Sequence, residues 1–134
     1  MSYKKGDICI CIVDEAGKSR PVLFWDDWEK AGDRPTALVI PFTSVTSKSR
    51  YKPTITIKKN TLNNLTEDSI LKLYQFGCVS KDVLGRVIGK LSDTEQKEIN
   101  KLLTDAFPFS DNLSSAPAIL EAEVKTNQKE DNKE

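Results

Sequence analysis

The sequence contains no histidine. Histidine is the usual general base and the usual partner of a nucleophilic serine or cysteine, so its absence excludes Ser-His, Cys-His and two-histidine nuclease mechanisms. A zinc site takes four ligands, and only 3 cysteines are present as soft ligands, which argues against a metal centre. We therefore expect no metal or other cofactor, and any catalysis must use other side chains.

Cysteines are few and long apolar runs are missing. Cys9 and Cys11 lie in residues 8–13, an apolar run typical of a buried strand, so we expect reduced thiols that pack in a core. No stretch is long enough to cross a bilayer, and the start lacks the apolar run of a signal peptide, which favours the cytoplasm. A chain of 134 residues fits one compact domain.

Acidic residues are absent between Asp33 and Glu67, although the formal net charge of the chain is +0. This segment contains the aromatic Tyr51 and the cations Arg34, Lys48, Arg50, Lys52, Lys58 and Lys59. Cations that neutralise phosphates, together with a ring that stacks on a base, are what a polyanion-binding face needs. The alternative is a solvated lysine-rich hairpin, and composition alone does not decide between the two.

Hydrophobic patterning predicts several short strands. We expect strands in residues 7–13, 20–25, 36–44, 54–57 and 69–76, and a loop with room for one helical turn in residues 26–33. Pro41 indicates an edge strand or a bulge, because proline cannot donate a ladder hydrogen bond. In residues 69–76 the alternation predicts Lys72, Tyr74 and Phe76 on one face of a strand.

A C-terminal helix is predicted after these strands. Ser92 and Glu95 have the spacing of a capping box, and Pro108 ends the pattern. Its apolar stripe consists of Ile99, Leu102, Leu103 and Ala106. The fold class predicted is mainly β with a C-terminal helix (α+β), as a small antiparallel sheet or barrel.

Five segments, taken in chain order, resemble the MazF/PemK family of toxins. They are Gly6-Asp7, residues 17–23 (similar to a Gly-x-x-Arg-Pro-x-Leu motif), residues 40–44 (a strand ending in Thr-Ser), residues 68–75 (a strand leading into a Gln-x-Arg signature) and residues 88–92. The resemblance implies an SH3-like barrel of the MazF/PemK/CcdB type over residues 1–109, forming a homodimer. It also implies the toxin of a type II toxin–antitoxin system, a metal-independent endoribonuclease that cleaves single-stranded RNA sequence-specifically by 2′-hydroxyl attack. A cognate antitoxin is the implied protein partner.

The resemblance also assigns candidate site residues. The family's catalytic arginine falls on Arg20 and its catalytic threonine or serine on Thr43. Arginine stays protonated, so Arg20 suits charge stabilisation better than proton abstraction, and the general base stays unassigned. The expected RNA contacts are Lys18, Ser19, Ser44, Lys48, Arg50, Lys72, Tyr74 and Gln75. Without the family context, Arg20 would be expected in a surface salt bridge with Asp14 or Glu15.

The sequence departs from the family pattern near Gln75. Tyr74 and Gly77 stand where family members often carry an acid and an arginine, and Lys72 and Tyr74 are predicted to substitute for them in part. Two other functions therefore stay open. One is a catalytically inactive relative that binds RNA or antitoxin, and the other is a gyrase-poison-type toxin of the same fold.

The C-terminal tail, residues 110–134, differs in composition from the body. It has six acids against three lysines and few aromatics, so we expect disorder. Its apolar and acidic residues 117–124 suggest the hypothesis that the tail folds back into the basic groove and weakens RNA binding. An inert solvated tail is the alternative.

Overall fold

A computed structural model describes residues 2–12, 17–44 and 50–107. The predicted RNA contact Lys48, the acids Asp14 and Glu15, and the tail lie outside these residues. Contacts divide the chain into the units Met1–Asn100 and Lys101–Glu134, and the second unit is described only over residues 101–107. Within the described ranges, no helix combines the length and hydrophobicity that crossing a membrane requires.

The described chain is mostly an antiparallel β half-barrel followed by a helix. The strands are β1 (Asp7–Ile12), β2 (Ser19–Phe24), β3 (Thr36–Thr43), β4 (Ile55–Ile57), β5 (Ser69–Leu71), β6 (Gly77–Ser80) and β7 (Leu84–Lys90). The helices are α1 (Trp28–Ala31) and α2 (Asp93–Ala106), with 3₁₀ turns at Leu73–Gln75 and Lys81–Val83. The strand order is β4-β5-β3-β2-β1-β7, and β6 pairs with β3 beside β5. This is the predicted fold class.

Strand β1 is buried on both faces over much of its length. Ile8 and Cys9 are both 0% exposed, and successive side chains of a strand point to opposite faces. Cys9 and Cys11 pack with Val22 and Phe24 in one core cluster. Both are buried in the core, as predicted. Burial is the main cause that raises the pKa of the Cys9 thiol to about 12, so this thiol stays protonated and serves packing.

Pro41 does not lie in an edge strand, so that prediction is wrong. Strand β3 is interior, with β2 on one side and β6 followed by β5 on the other. The register with β2 has no bulge up to its last pair, Val22 with Pro41. The carbonyl of Pro41 accepts from the Lys72 N–H at 2.9 Å, on the side where the partner of β3 changes from β6 to β5. The missing N–H of proline therefore falls at a break in the ladder, where its absence costs little.

The strand predicted over residues 69–76 is also wrong in part. Strand β5 ends at Leu71, and Leu73–Gln75 form a 3₁₀ turn before β6. The Tyr74 N–H donates to the Pro53 carbonyl at 3.2 Å, and the Gln75 N–H to the Lys72 carbonyl at 3.0 Å. These bonds turn the chain so that β5 and β6 both pair with β3. Lys72 and Tyr74 consequently do not share a strand face.

The capping box at the start of α2 is confirmed. The Ser92 N–H donates to Glu95 Oε1 at 3.0 Å, and the Glu95 N–H donates to Ser92 Oγ at 3.2 Å. These reciprocal bonds satisfy backbone donors that the helix itself leaves unpaired. Ile99 is fully buried, whereas Ala106, predicted in the apolar stripe, is exposed.

Candidate active site

A cavity of about 210 Å³ lies where β2 begins and β3 ends. It brings together Arg20, Thr43, Ser19 and Ser44, which are four of the predicted site residues. The other described residues that line it are Ile10, Pro21, Phe42, Asn64, Leu65, Thr66, Glu67, Ser69 and Ile88. The cavity is thus built from two strand ends, the loop before β5 and apolar residues of β1 and β7.

The antiparallel pairing of β2 and β3 explains why Arg20 and Thr43 line the same cavity. Val22 and Pro41 are the last pair of this ladder, and Arg20 and Thr43 lie two residues beyond that pair, at the start of β2 and the end of β3. Ser19 begins β2 and Ser44 directly follows β3, so they lie at the same end of the sheet. The sheet thus brings Arg20 and Thr43 to one cavity, independently of the sequence motif.

Arg20 is exposed, and its side chain forms no ion pair with any described residue. Its alternative partners Asp14 and Glu15 lie outside the described residues. Among the described residues that line the cavity, Arg20 and Glu67 are the charged ones, and they do not pair with each other. Two opposite charges therefore border the same cavity without neutralising each other.

The loop that carries Glu67 is organised by Asn63, whose side chain is 0% exposed. Its amide oxygen accepts from the backbone N–H groups of Asn60 and Leu65, each at 3.0 Å. Its Nδ2 donates to the Lys58 carbonyl at 2.8 Å. All polar groups of a buried amide need partners, so this loop has a defined conformation.

The same loop is fixed against β7 and β5. A Cβ on Gly89 would lie 2.3 Å from the Asn63 carbonyl oxygen, so only glycine permits this approach. The Lys59 N–H donates to Asp68 Oδ1 at 2.9 Å, and Ser69 Oγ donates to the Glu67 carbonyl at 3.0 Å. The backbone of Glu67 is therefore held at the cavity, while its side chain is exposed.

Arg50, Tyr51 and Tyr74 form a second group, here called the tyrosine cluster. The two rings lie 5.6 Å apart at 52°. Arg50 covers the Tyr51 ring at 4.8 Å from its centroid and donates to the Tyr51 hydroxyl at 2.7 Å. Tyr51 is 43% exposed. A charged group over an exposed ring offers both a phosphate contact and a stacking surface.

The remaining predicted contacts do not line the cavity. Lys18 is exposed and directly precedes β2, and Gln75 is exposed in the 3₁₀ turn. The Lys72 backbone is bonded to Pro41, which lies two residues, about 7 Å, from Thr43 along β3. The described residues thus divide into those that line the cavity, those in the tyrosine cluster, and Lys18, Lys72 and Gln75, which belong to neither.

One cation of the acid-free segment is used by the fold. Arg34 forms an ion pair with Asp26, and its Nε donates to the Thr36 carbonyl at 3.0 Å. Its charge is therefore already paired within the fold. Lys52, Lys58 and Lys59 are exposed.

A larger cavity, of about 650 Å³, lies elsewhere, along residues 2–5 and 25–30. None of the predicted site residues lines it. Its charged residues are of both signs, and two of them already have partners in the fold. Asp26 is paired with Arg34, and Lys5 lies 4.7 Å from the centroid of the Trp25 ring. Cavity size alone therefore does not identify the candidate site.

Sequence reasoning missed Glu67 and its neighbours Asn64 and Thr66 as cavity residues. The available signal was that Glu67 ends the acid-free segment. Within residues 2–12, 17–44 and 50–107, no group of three or more histidine, cysteine or acidic side chains is arranged to hold a metal ion.

Fold and cavity together define a small antiparallel β half-barrel protein with a C-terminal helix and a charged cavity at the end of its sheet. Residues 4–107 match the family of PemK-like, MazF-like toxins of type II toxin–antitoxin systems. The chain belongs to this family. Comparison with curated proteins gave no significant match.

Solved structures support the same fold. The chain is similar to the Mycobacterium tuberculosis toxin MazF-mt6, with a TM-score of 0.61 and 21% identity over 76% of this chain and 96% of that chain. It is also similar to an endoribonuclease in complex with its cognate antitoxin from a mycobacterial species, with a TM-score of 0.58 and 17% identity over 80% and 94% of the two chains. A further mycobacterial endoribonuclease gives a TM-score of 0.56 and 16% identity over 81% and 93%. The predicted barrel type is confirmed.

Proposed function

We propose that this chain is the toxin component of a type II toxin–antitoxin system and cleaves single-stranded RNA at a preferred sequence without a metal ion. The observation that carries the proposal is that Arg20 and Thr43, on facing ends of β2 and β3, line one cavity. Family membership supports the toxin assignment. Two of the similar structures are named endoribonucleases.

The proposed chemistry uses the RNA's own 2′-hydroxyl as nucleophile. Attack on the adjacent phosphorus gives a 2′,3′-cyclic phosphate and a 5′-hydroxyl, and negative charge builds up on the phosphate oxygens. Arg20 donates to those oxygens as a planar, permanently charged fork, and Thr43 donates its hydroxyl to the same group. Such preorganised donors stabilise the transition state more than the ground state.

RNA contacts outside the cavity come from the tyrosine cluster and the neighbouring exposed cations. Bases of a single strand are unstacked, so rings such as Tyr51 and Tyr74 can bind them, and lysines such as Lys18 neutralise phosphates. Ser19 and Ser44 border the cavity next to Arg20 and Thr43. We assign them, with Lys72, Gln75, Arg50 and Lys48, to phosphate and sugar contacts that set the register of the strand.

The proposal includes a homodimer, a cytoplasmic location and a cognate antitoxin. One similar structure is named as an endoribonuclease in complex with its cognate antitoxin. In this proposal the antitoxin covers the same cavity and tyrosine cluster as RNA, so the two ligands compete.

The experiment is to incubate the purified protein with a long single-stranded RNA in excess EDTA and to map the new ends. We expect cleavage at a short recurring motif. Arg20→Ala should lower the rate by about 10²–10³-fold, as expected for loss of one transition-state donor. Lys30→Ala, which removes an exposed cation at the larger cavity, is the matched control and should cleave normally.

Intact RNA would overturn the proposal. It would favour a catalytically inactive binding module or a toxin that acts on gyrase instead. A metal requirement, seen as cleavage only without EDTA, would contradict the proposed chemistry but not the toxin assignment.

A further inference from the structure

The proposed reaction needs a proton acceptor for the 2′-hydroxyl. Arg20 cannot serve, because a guanidinium stays protonated at working pH, and the chain has no histidine. Serine and threonine hydroxyls at the cavity are too weakly basic. Among the described residues that line the cavity, the remaining ionisable side chain is that of Glu67.

We propose that Glu67 is a catalytic residue, the general base that takes the proton from the attacking 2′-hydroxyl. This assignment rests on the proposed ribonuclease function. It differs from the family-based expectation, because family members often carry an acid at the position that Tyr74 occupies in this chain.

The side chain of Glu67 has no structural task among the described residues. It forms no ion pair or hydrogen bond there, and only its carbonyl oxygen is bonded, to Ser69 Oγ. The adjacent Asp68 is different, because its carboxylate accepts from the Lys59 N–H at 2.9 Å and does not line the cavity. Of these two neighbouring acids, Asp68 holds the loop and Glu67 is available to a ligand.

The backbone around Glu67 is held firmly enough to position a base. Asn63 organises the loop from inside, and Ser69, only 8% exposed, fixes the Glu67 carbonyl. A general base works when its carboxylate comes within hydrogen-bond reach of the proton it removes. A defined loop at the rim of the Arg20 cavity provides that placement once RNA is bound.

The step balances as follows. The Glu67 carboxylate accepts the 2′-hydroxyl proton while the 2′-oxygen forms its bond to phosphorus. The bond from phosphorus to the 5′-oxygen then breaks, and that oxygen takes a proton from water. The protonated Glu67 returns its proton to solvent, so the enzyme regains its starting charge.

This arrangement predicts opposite roles in binding for the two charged residues. Arg20 attracts the phosphate in both ground and transition states, whereas the charge of Glu67 repels it. Replacing Glu67 by glutamine should therefore leave RNA affinity unchanged or slightly higher while lowering the rate. A merely structural role for Glu67 would not separate the cleavage rate from RNA affinity in this way.

The test uses the full-length protein and an RNA oligonucleotide that contains the mapped cleavage site. Single-turnover rates are measured at neutral pH for wild type, Glu67→Gln, Glu67→Asp and the matched control Asp68→Asn. Binding is measured with the same oligonucleotide carrying a 2′-deoxy sugar at the scissile position. We expect Glu67→Gln to lose about 10²–10⁴-fold in rate, and Glu67→Asp to retain part of the activity.

Each outcome is decisive. If wild type cleaves, Arg20→Ala does not, and Glu67→Gln keeps the wild-type rate, the Glu67 assignment is overturned and the ribonuclease proposal stands. The same conclusion follows if Asp14→Asn or Glu15→Gln, rather than Glu67→Gln, causes the loss of rate. If wild type does not cleave RNA, both proposals are overturned. Because Glu67 is exposed and bonded only through its backbone, Glu67→Gln and Glu67→Asp should both preserve folding. Thermal unfolding checks this.

Discussion

The charged residues near α1 and those at the cavity are used in opposite ways. Near α1, the carboxylate of Asp26 accepts from the N–H groups of Asp27 and Leu38, each at 2.8 Å, and forms an ion pair with Arg34. At the cavity, Arg20 and Glu67 have no ion pair with any described residue. A partnered charge stabilises the fold, whereas a charge without a partner contributes little stability and is available to a ligand.

The aromatic groups show the same contrast. Tyr3 stacks on Phe24 at 5.3 Å, and Tyr3 is 5% exposed. Tyr51 and Tyr74 lie at a similar separation of 5.6 Å, but Tyr51 is 43% exposed. Ring geometry alone therefore does not separate core from binding surface. Burial does, because a buried ring has already used its faces for packing.

The largest expected effect is a loss of stability when the charge network near α1 is removed. Asp26→Ala leaves the Leu38 N–H and Arg34 without their acceptor, and we expect the free energy of unfolding to fall by about 2–3 kcal/mol. The side chain of Asp26 is 15% exposed, so solvent replaces the lost bonds only in part. Urea unfolding measures the change, with the exposed Asp33→Ala as control. RNA cleavage per folded molecule should be unchanged. A selective loss of cleavage would contradict the distinction between structural charges near α1 and ligand-binding charges at the cavity.

A second substitution removes a hydroxyl on the cavity side. Thr43→Val keeps the shape of the side chain but cannot donate to the phosphate, and we expect the cleavage rate to fall about 10-fold. Thr43→Ser restores the hydroxyl and should recover most of the rate. Single-turnover kinetics with the mapped RNA oligonucleotide provide the measurement. Equal rates for the valine and serine variants would exclude Thr43 from the chemistry.

A smaller effect is expected at the tyrosine cluster. Tyr51→Ala removes an exposed stacking surface, and RNA binding should weaken by about 5-fold, near the lower limit for loss of one stacked base. Tyr51→Phe retains the ring and should bind like wild type. Fluorescence anisotropy with the uncleavable 2′-deoxy oligonucleotide gives both affinities. If Tyr51→Phe weakens binding as much as Tyr51→Ala, the hydroxyl and its bond from Arg50 matter more than the ring.

The smallest functional effect concerns the thiols. Cys78 is exposed, whereas Cys9 and Cys11 are buried, so a thiol reagent at pH 8 should label one cysteine in the native protein and all three after unfolding. Labelling of Cys78 should leave cleavage unchanged, because Cys78 does not line the cavity. Mass spectrometry counts the labelled thiols. Fast native labelling of Cys9 would contradict its burial.

The pH dependence of stability follows from the same burial. The pKa of Cys9 is raised to about 12 in the folded protein, above the ordinary value of a thiol near 8.5. Its contribution to stability is therefore complete below the ordinary thiol pKa. It is lost as the pH rises towards 12, because the unfolded chain releases the proton first. Cys9→Ala should flatten this alkaline decline in urea unfolding.

Sequence patterning by itself determined the strands that bury apolar residues and the start of the last helix. The apolar run around Cys9 and the Ser92–Glu95 capping box are local signals, since neighbouring residues satisfy them. The likeness of five short segments to the MazF/PemK family indicated the fold and drew attention to Arg20 and Thr43.

Only the tertiary structure decided where local patterns are overridden. Residues 69–76 alternate like a strand, yet backbone bonds to Pro41 and Pro53 turn the chain at Lys72, so that β3 pairs with both β5 and β6. Pro41 fits an interior strand because its missing N–H lies at the break between these two partners. Neither feature is visible locally, since each depends on residues that are distant in the sequence.

The composition of the cavity also depends on residues that are distant in the sequence. Thr43 and Arg20 line one cavity because antiparallel pairing sets the end of β3 beside the start of β2, and Glu67 joins them because a loop organised by Asn63 lies against β7. Arg34 is a cation of the acid-free segment, but Asp26 holds it at α1. The sequence thus determines which side chains can carry charge. Folding decides which of those charges are neutralised and which border a cavity, because that depends on distances between separate strands and loops.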